Sequence, residues 1–406
     1  MKPLPAVLLV ATMDTKGEEA RFIKTCLESV GVSVLILDGG IMGMPAFPAT
    51  VTRESVAEAA GRKLSDIQQL GHEGEAMSAM VEGAVNRALD LHRDGRIQGV
   101  IGLGGSMGTT LGSAVMRAMP LGLPKVMITT MASRDTRPFV GTRDILMLHS
   151  ICDLSGLNRI TRMILRNGAM ALAGMVKETE PPSVQDRPLI TISTLGTSEA
   201  CAVGVRKILQ ADGYEVVTFH TVGSGGEAME EMIQAGDVSG VADLSLHELM
   251  DHRFGGDYDA GPERGKAALK AGIPTVLAPG NIDFLVTGPL NHAKKRFPKR
   301  PCHTHNAAIT VVRSLKEEVL EIAEVIADMC NRSAGPIAVL IPLKGFSAFD
   351  REGGPLYDPS IPPLFDRAFR DALVKPIRVA SLPCHINDEP FAEAVARELT
   401  VLIKER

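Results

Sequence analysis

Two stretches of this chain, residues 12–38 and 194–220, carry one pattern 182 positions apart. Thr12 and Thr194, Thr15 and Thr197, Ala20 and Ala202, Leu27 and Leu209, Gly31 and Gly213, and Val34 and Val216 match without a gap, six identities in 27 positions. Each stretch reads as strand, turn, helix, turn, strand. Ala6 to Thr12 is an unbroken apolar run. Glu18 to Val30 then places Phe22, Ile23, Cys26, Leu27 and Val30 at helical spacing, Gly31 stops the helix, and Val32 to Leu37 is apolar again. Leu189 to Thr194, Cys201 to Gln210 and Tyr214 to Phe219 repeat the series. Strands that are apolar throughout, rather than alternating, belong to parallel sheets covered on both faces, and their crossovers are right-handed. The pattern therefore predicts an α/β chain of two Rossmann-like domains with mostly parallel sheets, and the repeat points to an internal duplication.

A chain of 406 residues is long enough for two cores. Glu178 to Pro188 is polar, has three prolines and lacks periodicity, so it marks the boundary. The expected domains are 1–180 and 188–406, joined by a linker at 181–187. Net charge is −5, with no Trp and 3 Tyr, which argues against a nucleic-acid surface. No apolar run of about 20 residues and no signal peptide is found, so no membrane partner and a cytoplasmic location are expected. The six cysteines show no CxxC spacing and read as reduced thiols.

The strongest chemical signal is the run Gly104-Gly105-Ser106-Met107-Gly108-Thr109, between an apolar strand and a helix that continues to Met119. Backbone N–H groups converge at such a strand–glycine–helix junction and the helix dipole favours an anion. The run lacks the lysine of a P-loop. Its glycine spacing and the Lys125 that stands about 20 residues on do not fit a dinucleotide fingerprint. A mononucleotide phosphate fits better. Neighbouring strand ends supply Asp14, Thr15 and Lys16, then Asp38 as a ribose partner, then Thr130, Ser133, Arg134, Asp135, Thr136 and Arg137. Hydroxyls and arginines bind phosphate, and Asp135 is the candidate Mg²⁺ ligand. The polar loop and helix-cap readings of these residues stay open.

In the second half, Thr194 and Thr197 end one strand, and His220 precedes a second glycine nest at Gly223 to Gly226. Asp243, His247 and Asp251 share one face if helical, either a solvated face or a metal face; the histidine spacing rejects a zincin. Five positive charges at 294–300 lead into His303-Thr-His305-Asn306. Imidazole titrates near neutrality, so His303, His305 and His220 are the candidate acid–base groups. Thr194, Thr197, Gly225, Gly226 and Asn306 are the candidate contacts for a small anionic substrate.

These motifs together, Ala11 to Gly17, Gly102 to Thr110, Thr129 to Arg137, His220 to Glu227 and His303 to Asn306, resemble the UPF0261 family, also described as Tm-1-like ATP-binding domain proteins. The resemblance covers nearly the whole chain. It implies two α/β subdomains, ATP binding and a homodimer or higher homo-oligomer. The expectation is an ATP-binding metabolic enzyme with Mg²⁺ as a companion ion, its small anionic substrate lying in a cleft between the domains. A phosphoryl-transfer or hydrolase-type activity would suit it. The alternatives are a non-catalytic, ATP-dependent protein-binding module and an enzyme akin to phosphosugar isomerases or lyases.

Overall fold

The computed structural model describes residues 5–178 and 187–405. It divides into two compact units, within residues 1–184 and 185–406. Positions 181–186 of the expected linker lie outside the described residues.

The first unit is built on five parallel strands: β1 (Ala6–Ala11), β2 (Ser33–Asp38), β3 (Val100–Gly104), β4 (Lys125–Thr129) and β5 (Leu146–His149). Their spatial order is β2-β1-β3-β4-β5. β1 is AVLLVA, and five of its six residues are buried. This follows from helices on both faces. One face packs Val7, Leu9 and Ile101 against helices Gly17–Glu28 and Arg159–Lys177, centred on Ile23, Leu27, Leu165 and Leu172. The other packs Leu8, Val10 and Val100 under Met80 and Ala84 of helix Glu73–Arg93 and Leu111 and Val115 of helix Ser106–Ala118. Close approach of that last helix depends on glycine. A Cβ on Gly102 or Gly112 would come within 2.8 and 2.9 Å of Met127 Sδ.

The second unit contains β6 (Leu189–Thr194), β7 (Glu215–His220), β8 (Val238–Asp243) and β9 (Thr275–Leu277). A separate group follows: β10 (Phe284–Thr287), β11 (Cys302–Thr304) and β12 (Thr310–Arg313). The chain then returns through β13 (Ile337–Pro342) and β14 (Arg378–Leu382). The large sheet has the order β14-β13-β9-β8-β6-β7, parallel throughout. Numbered within the sheet and read from β7, that is the 2-1-3-4-5 order of the first sheet with one strand added. β10, β12 and β11 form a small antiparallel sheet that was not expected from the sequence. Its face bearing Phe284, Val286 and Val311 packs on Leu195 and Leu356. The basic stretch at 294–300 begins on a helix, Leu290–Arg296.

Among the described residues no helix is long and apolar enough to cross a membrane.

Candidate functional site

In an open parallel sheet the crevice lies outside the carboxyl ends of the strands, where strand order reverses. In the first unit that point falls between β1 and β3. A cavity of about 660 Å³ opens there, between Thr12, Asp14, Thr15 and Lys16 after β1 and Gly104, Gly105, Ser106, Met107 and Gly108 after β3. Its other wall is mainly apolar, made by Ile41, Ile67, Leu70, Ala76 and Met77, with Gln68 and Glu73 among them. Sequence reasoning missed this wall, because its residues stand 25 or more positions from either loop and carry no local signal.

The cradle's geometry follows from its glycines. Gly104 has φ 153°, and a Cβ there would meet Gly108 Cα at 2.8 Å. A Cβ on Gly108 would meet Leu103 O at 2.8 Å. Both are needed for the turn to close. Gly105 differs: its backbone, φ −79° and ψ −152°, suits any residue, and its built Cβ meets only Thr130 Oγ1, at 3.9 Å. Packing does not explain this glycine. It is the N-cap of helix Ser106–Ala118 and offers no side-chain cap. Thr52, His72 and Asn158 cap three other helices of the unit. Helix Gly17–Glu28, starting across the cavity, is likewise without a side-chain cap. Both helix starts border the one cavity, through Lys16, the N-cap of the first, and Gly105, the N-cap of the second.

The carboxylate of Asp14 accepts from the N–H groups of Met42 (3.3 Å) and Gly43 (3.2 Å) through Oδ2. Its Oδ1 is buried and has no hydrogen-bond partner among the described residues. Lys16 donates to Leu154 O and keeps two further ammonium protons for a ligand. Thr12 and Thr15 share a hydroxyl hydrogen bond of 2.8 Å.

Other candidates lie elsewhere. Asp38 is buried, its Oδ1 taken by the N–H groups of Met13 (2.9 Å) and Gly40 (2.8 Å), and burial raises its pKa. It fastens the β1 and β2 loops together and does not line the cavity. Thr109 is buried, donating to Gly105 O and hydrogen-bonded to Thr129 Oγ1 (2.5 Å). Thr130, Ser133 and Arg134 line a neighbouring groove, whereas Asp135, Thr136 and Arg137 line neither space. Among the described residues no cluster of three or more His, Cys, Asp or Glu side chains is suited to a metal.

The crevice of the second unit is filled. Gly223 and Gly226 donate to Glu248 Oε1 at 2.8 and 3.2 Å, so an internal carboxylate occupies the glycine nest expected to hold substrate. A Cβ on Gly226 would strike Glu248 Oε2 at 1.9 Å, and one on Gly225 would strike His220 O at 1.8 Å. These glycines serve internal packing. Arg264, fully buried, donates to Glu248 Oε2 (2.5 Å) and forks onto Asp243 (2.6 and 2.8 Å). Glu230 accepts from the N–H groups of Gly265 (2.6 Å) and Ala267 (2.8 Å). Burial pushes the carboxyls of Glu230, Glu248 and Asp251 upward. Asp243 ends a strand rather than continuing the helix face with His247 and Asp251, and all three are buried rather than solvated.

Thr197 Oγ1 donates to Asn281 Oδ1 (2.7 Å), and Asn281 Nδ2 donates to Ser245 Oγ (2.7 Å), which contacts His247 Nδ1 (3.2 Å). Burial brings the His247 pKa down to about 3. Thr194 is buried and donates to Leu195 O (3.3 Å). His303 and His305, two apart on and after β11, both face Phe349, at ring distances of 5.0 and 6.4 Å. His220 is exposed at the end of β7, and Asn306 Oδ1 accepts from Ala308 N (2.8 Å). No local pattern marks Asn281, Arg264 or Glu230; each is joined to its partners across 16 residues or more.

Fold and crevice together define a doubly wound α/β protein of two units, one with an open cavity at its switch point and one whose switch point is filled by its own side chains. Family models agree on the division: the UPF0261 N-terminal domain matches residues 5–181 and the UPF0261 C-terminal domain residues 187–403, both described as an uncharacterised protein family. The chain belongs to the UPF0261 family. A UPF0261 protein of Clostridium tetani is 39% identical over 97% of this chain and 98% of its own length. Another, from Rhizobium meliloti, is 35% identical over 96% of both chains. The ToMV resistance protein Tm-1(GCR237) of Solanum lycopersicum is 31% identical over 96% of this chain, which spans 55% of that protein.

Proposed function

We propose that the first unit binds a nucleoside phosphate, with ATP as the ligand and Mg²⁺ as its companion. One observation carries the reading: a single cavity joins an uncapped helix N-terminus floored by Gly105 to an apolar wall. Phosphate suits the first and a planar base the second. The volume, about 660 Å³, is in the range of small-molecule sites. The unpartnered Asp14 Oδ1 suits a donor on the ligand or a water of Mg²⁺, an ion that keeps several waters and takes one or two carboxylates. Asp135, outside the cavity, is not needed for this. The broader reading is a metabolic enzyme acting on a small anionic substrate; the alternative is a binding module that uses ATP without turning it over.

Calorimetric titration of the whole chain with Mg·AMP-PNP, adenosine and inorganic phosphate tests the reading. AMP-PNP should bind more tightly than either fragment, because it fills both halves of the cavity. Equal affinity for phosphate and AMP-PNP would remove the base from the proposal. Absence of AMP-PNP binding would remove the proposal itself. ATP binding without hydrolysis or transfer favours the module.

A further inference from the structure

Beside the cradle runs a second groove of about 630 Å³, along the carboxyl ends of β3, β4 and β5. It meets the first cavity at Ser106 and Asp153, which line both. Its distinctive residue is Ile151. This side chain is 69% exposed, and its backbone has φ 63°. A β-branched residue in the left-handed region is a conformational outlier, and such strain persists only where surrounding bonds enforce it. Here they do. Ser150 N–H donates to Thr129 O (3.0 Å), Cys152 N–H turns back to Ser150 O (2.7 Å), and Ser150 Oγ donates to Cys152 O (2.8 Å). The tight turn holds an apolar side chain out beside a polar groove. Folding alone gives no reason for that, since Asn or Gly would occupy the turn with less strain.

The same groove holds the exposed guanidinium of Arg134, which has no hydrogen-bond or ion-pair partner among the described residues, and the hydroxyls of Thr130 and Ser133. We propose that this groove is a second subsite, for a small organic oxyanion on a short carbon body. Arg134 would fork onto the carboxylate or phosphate head. Ile151 would cover the carbon body, and Ser106 would lie where the two ligands meet. The inference rests on the nucleotide reading for what lies next to the oxyanion, but not for the oxyanion's own binding.

The test is calorimetry on the whole chain with succinate and with glycerol 3-phosphate, each with and without saturating Mg·AMP-PNP. At least one probe should bind, and comparing them identifies the head group. Arg134→Gln should weaken that probe at least tenfold. Ile151→Asn should weaken it several-fold while leaving AMP-PNP affinity in place, and should hold or raise the melting temperature. A residue with only a structural role would change the melting temperature and leave probe affinity alone. Binding of neither probe in either state overturns the proposal, as does wild-type probe affinity in both variants. Loss of AMP-PNP binding with probe binding retained refutes the nucleotide reading and leaves the groove standing.

Discussion

Gly105→Ala isolates the cradle from the fold. The added Cβ meets nothing closer than Thr130 Oγ1 at 3.9 Å, and the backbone at φ −79° and ψ −152° accepts alanine. Replacing glycine where the new residue is unstrained stabilises a protein by about 0.4–1 kcal/mol, through the unfolded chain. The folded unit should therefore melt at or slightly above the wild-type temperature. The ligand has no such freedom. Gly105 lines the cavity, and a phosphate held by the first-turn N–H groups would have to withdraw to clear a methyl group there. Losing one or two hydrogen bonds to a charged group costs about 1.5–3 kcal/mol each. At about 1.4 kcal/mol per tenfold, Mg·AMP-PNP should bind some tenfold to ten-thousandfold more weakly, according to whether one or both bonds are lost. Adenosine, held by the wall at Ile67, Leu70 and Met77, should be almost unaffected. Gly108→Ala supplies the contrast. Its Cβ meets Leu103 O at 2.8 Å, so the turn itself must shift, at a cost of about 1–3 kcal/mol. Calorimetric titration and thermal melting of both variants read the two effects separately. Wild-type AMP-PNP affinity in a well-folded Gly105→Ala protein would refute the placement of phosphate at this loop.

Three further outcomes follow from the site geometry. Leu70→Ser should weaken adenosine and AMP-PNP several-fold and leave inorganic phosphate affinity unchanged in the same titration, because only the wall is altered. Glu248→Ala should leave two glycine N–H groups and Arg264 Nε without their partner, destabilising the second unit by about 3–5 kcal/mol; scanning calorimetry should show part of that loss recovered in phosphate but not in chloride, as the emptied nest takes an anion. Burial and the neighbouring Asp350 raise the Asp283 carboxyl to about 7. A group whose folded pKa is raised stabilises the fold below its unfolded value, about 4, and that contribution is lost as pH rises through 7; Asp283→Asn should flatten the melting temperature of the second unit across this window, and an unchanged slope would assign the titration to another group.

The parallel sheets were legible where a strand is a continuous apolar run closed by glycine or a polar turn, as in Ala6–Ala11 and Ile337–Pro342. The cradle was legible for the same reason: Gly104 to Gly108 stand where strand gives way to helix. The small sheet was not. Phe284–Thr287 and Thr310–Arg313 are four residues each, and Cys302–Thr304 follows a basic run that reads as solvated loop. Nor was the occupant of the second nest. A glycine run at a helix start announces an anion site, but its filling by Glu248, 22 residues from Gly226, is a long-range pairing that no local pattern encodes. Asp38 shows the same limit: the strand-end position is that of a ribose ligand, while its contacts with Met13 and Gly40 are those of a loop fastener.

The two units share strand order but differ at the point where that order reverses. In the second unit, Asn387 Oδ1 accepts from Cys201 N (3.4 Å) in the first turn of helix Glu199–Ala211, and Asn281 ties Thr197 to Ser245 across the crevice. None of the helices Glu199–Ala211, Gly17–Glu28 and Ser106–Ala118 is capped by its own N-cap side chain, and among the described residues only the first has a first-turn N–H taken by a side chain from elsewhere. Leaving such donors without protein partners forgoes about 1 kcal/mol per missing cap, whereas filling the crevice with side chains recovers that stability and removes the space for a ligand. An open crevice is therefore the less stable of the two solutions in the absence of ligand. It follows that ligand-linked stabilisation belongs to the first unit: Mg·AMP-PNP at a hundred times its Kd should add about 2.7 kcal/mol to that unit's unfolding and leave the second unit's transition where it was. A shift confined to the second unit's transition would invert the assignment of which crevice binds and which is structural.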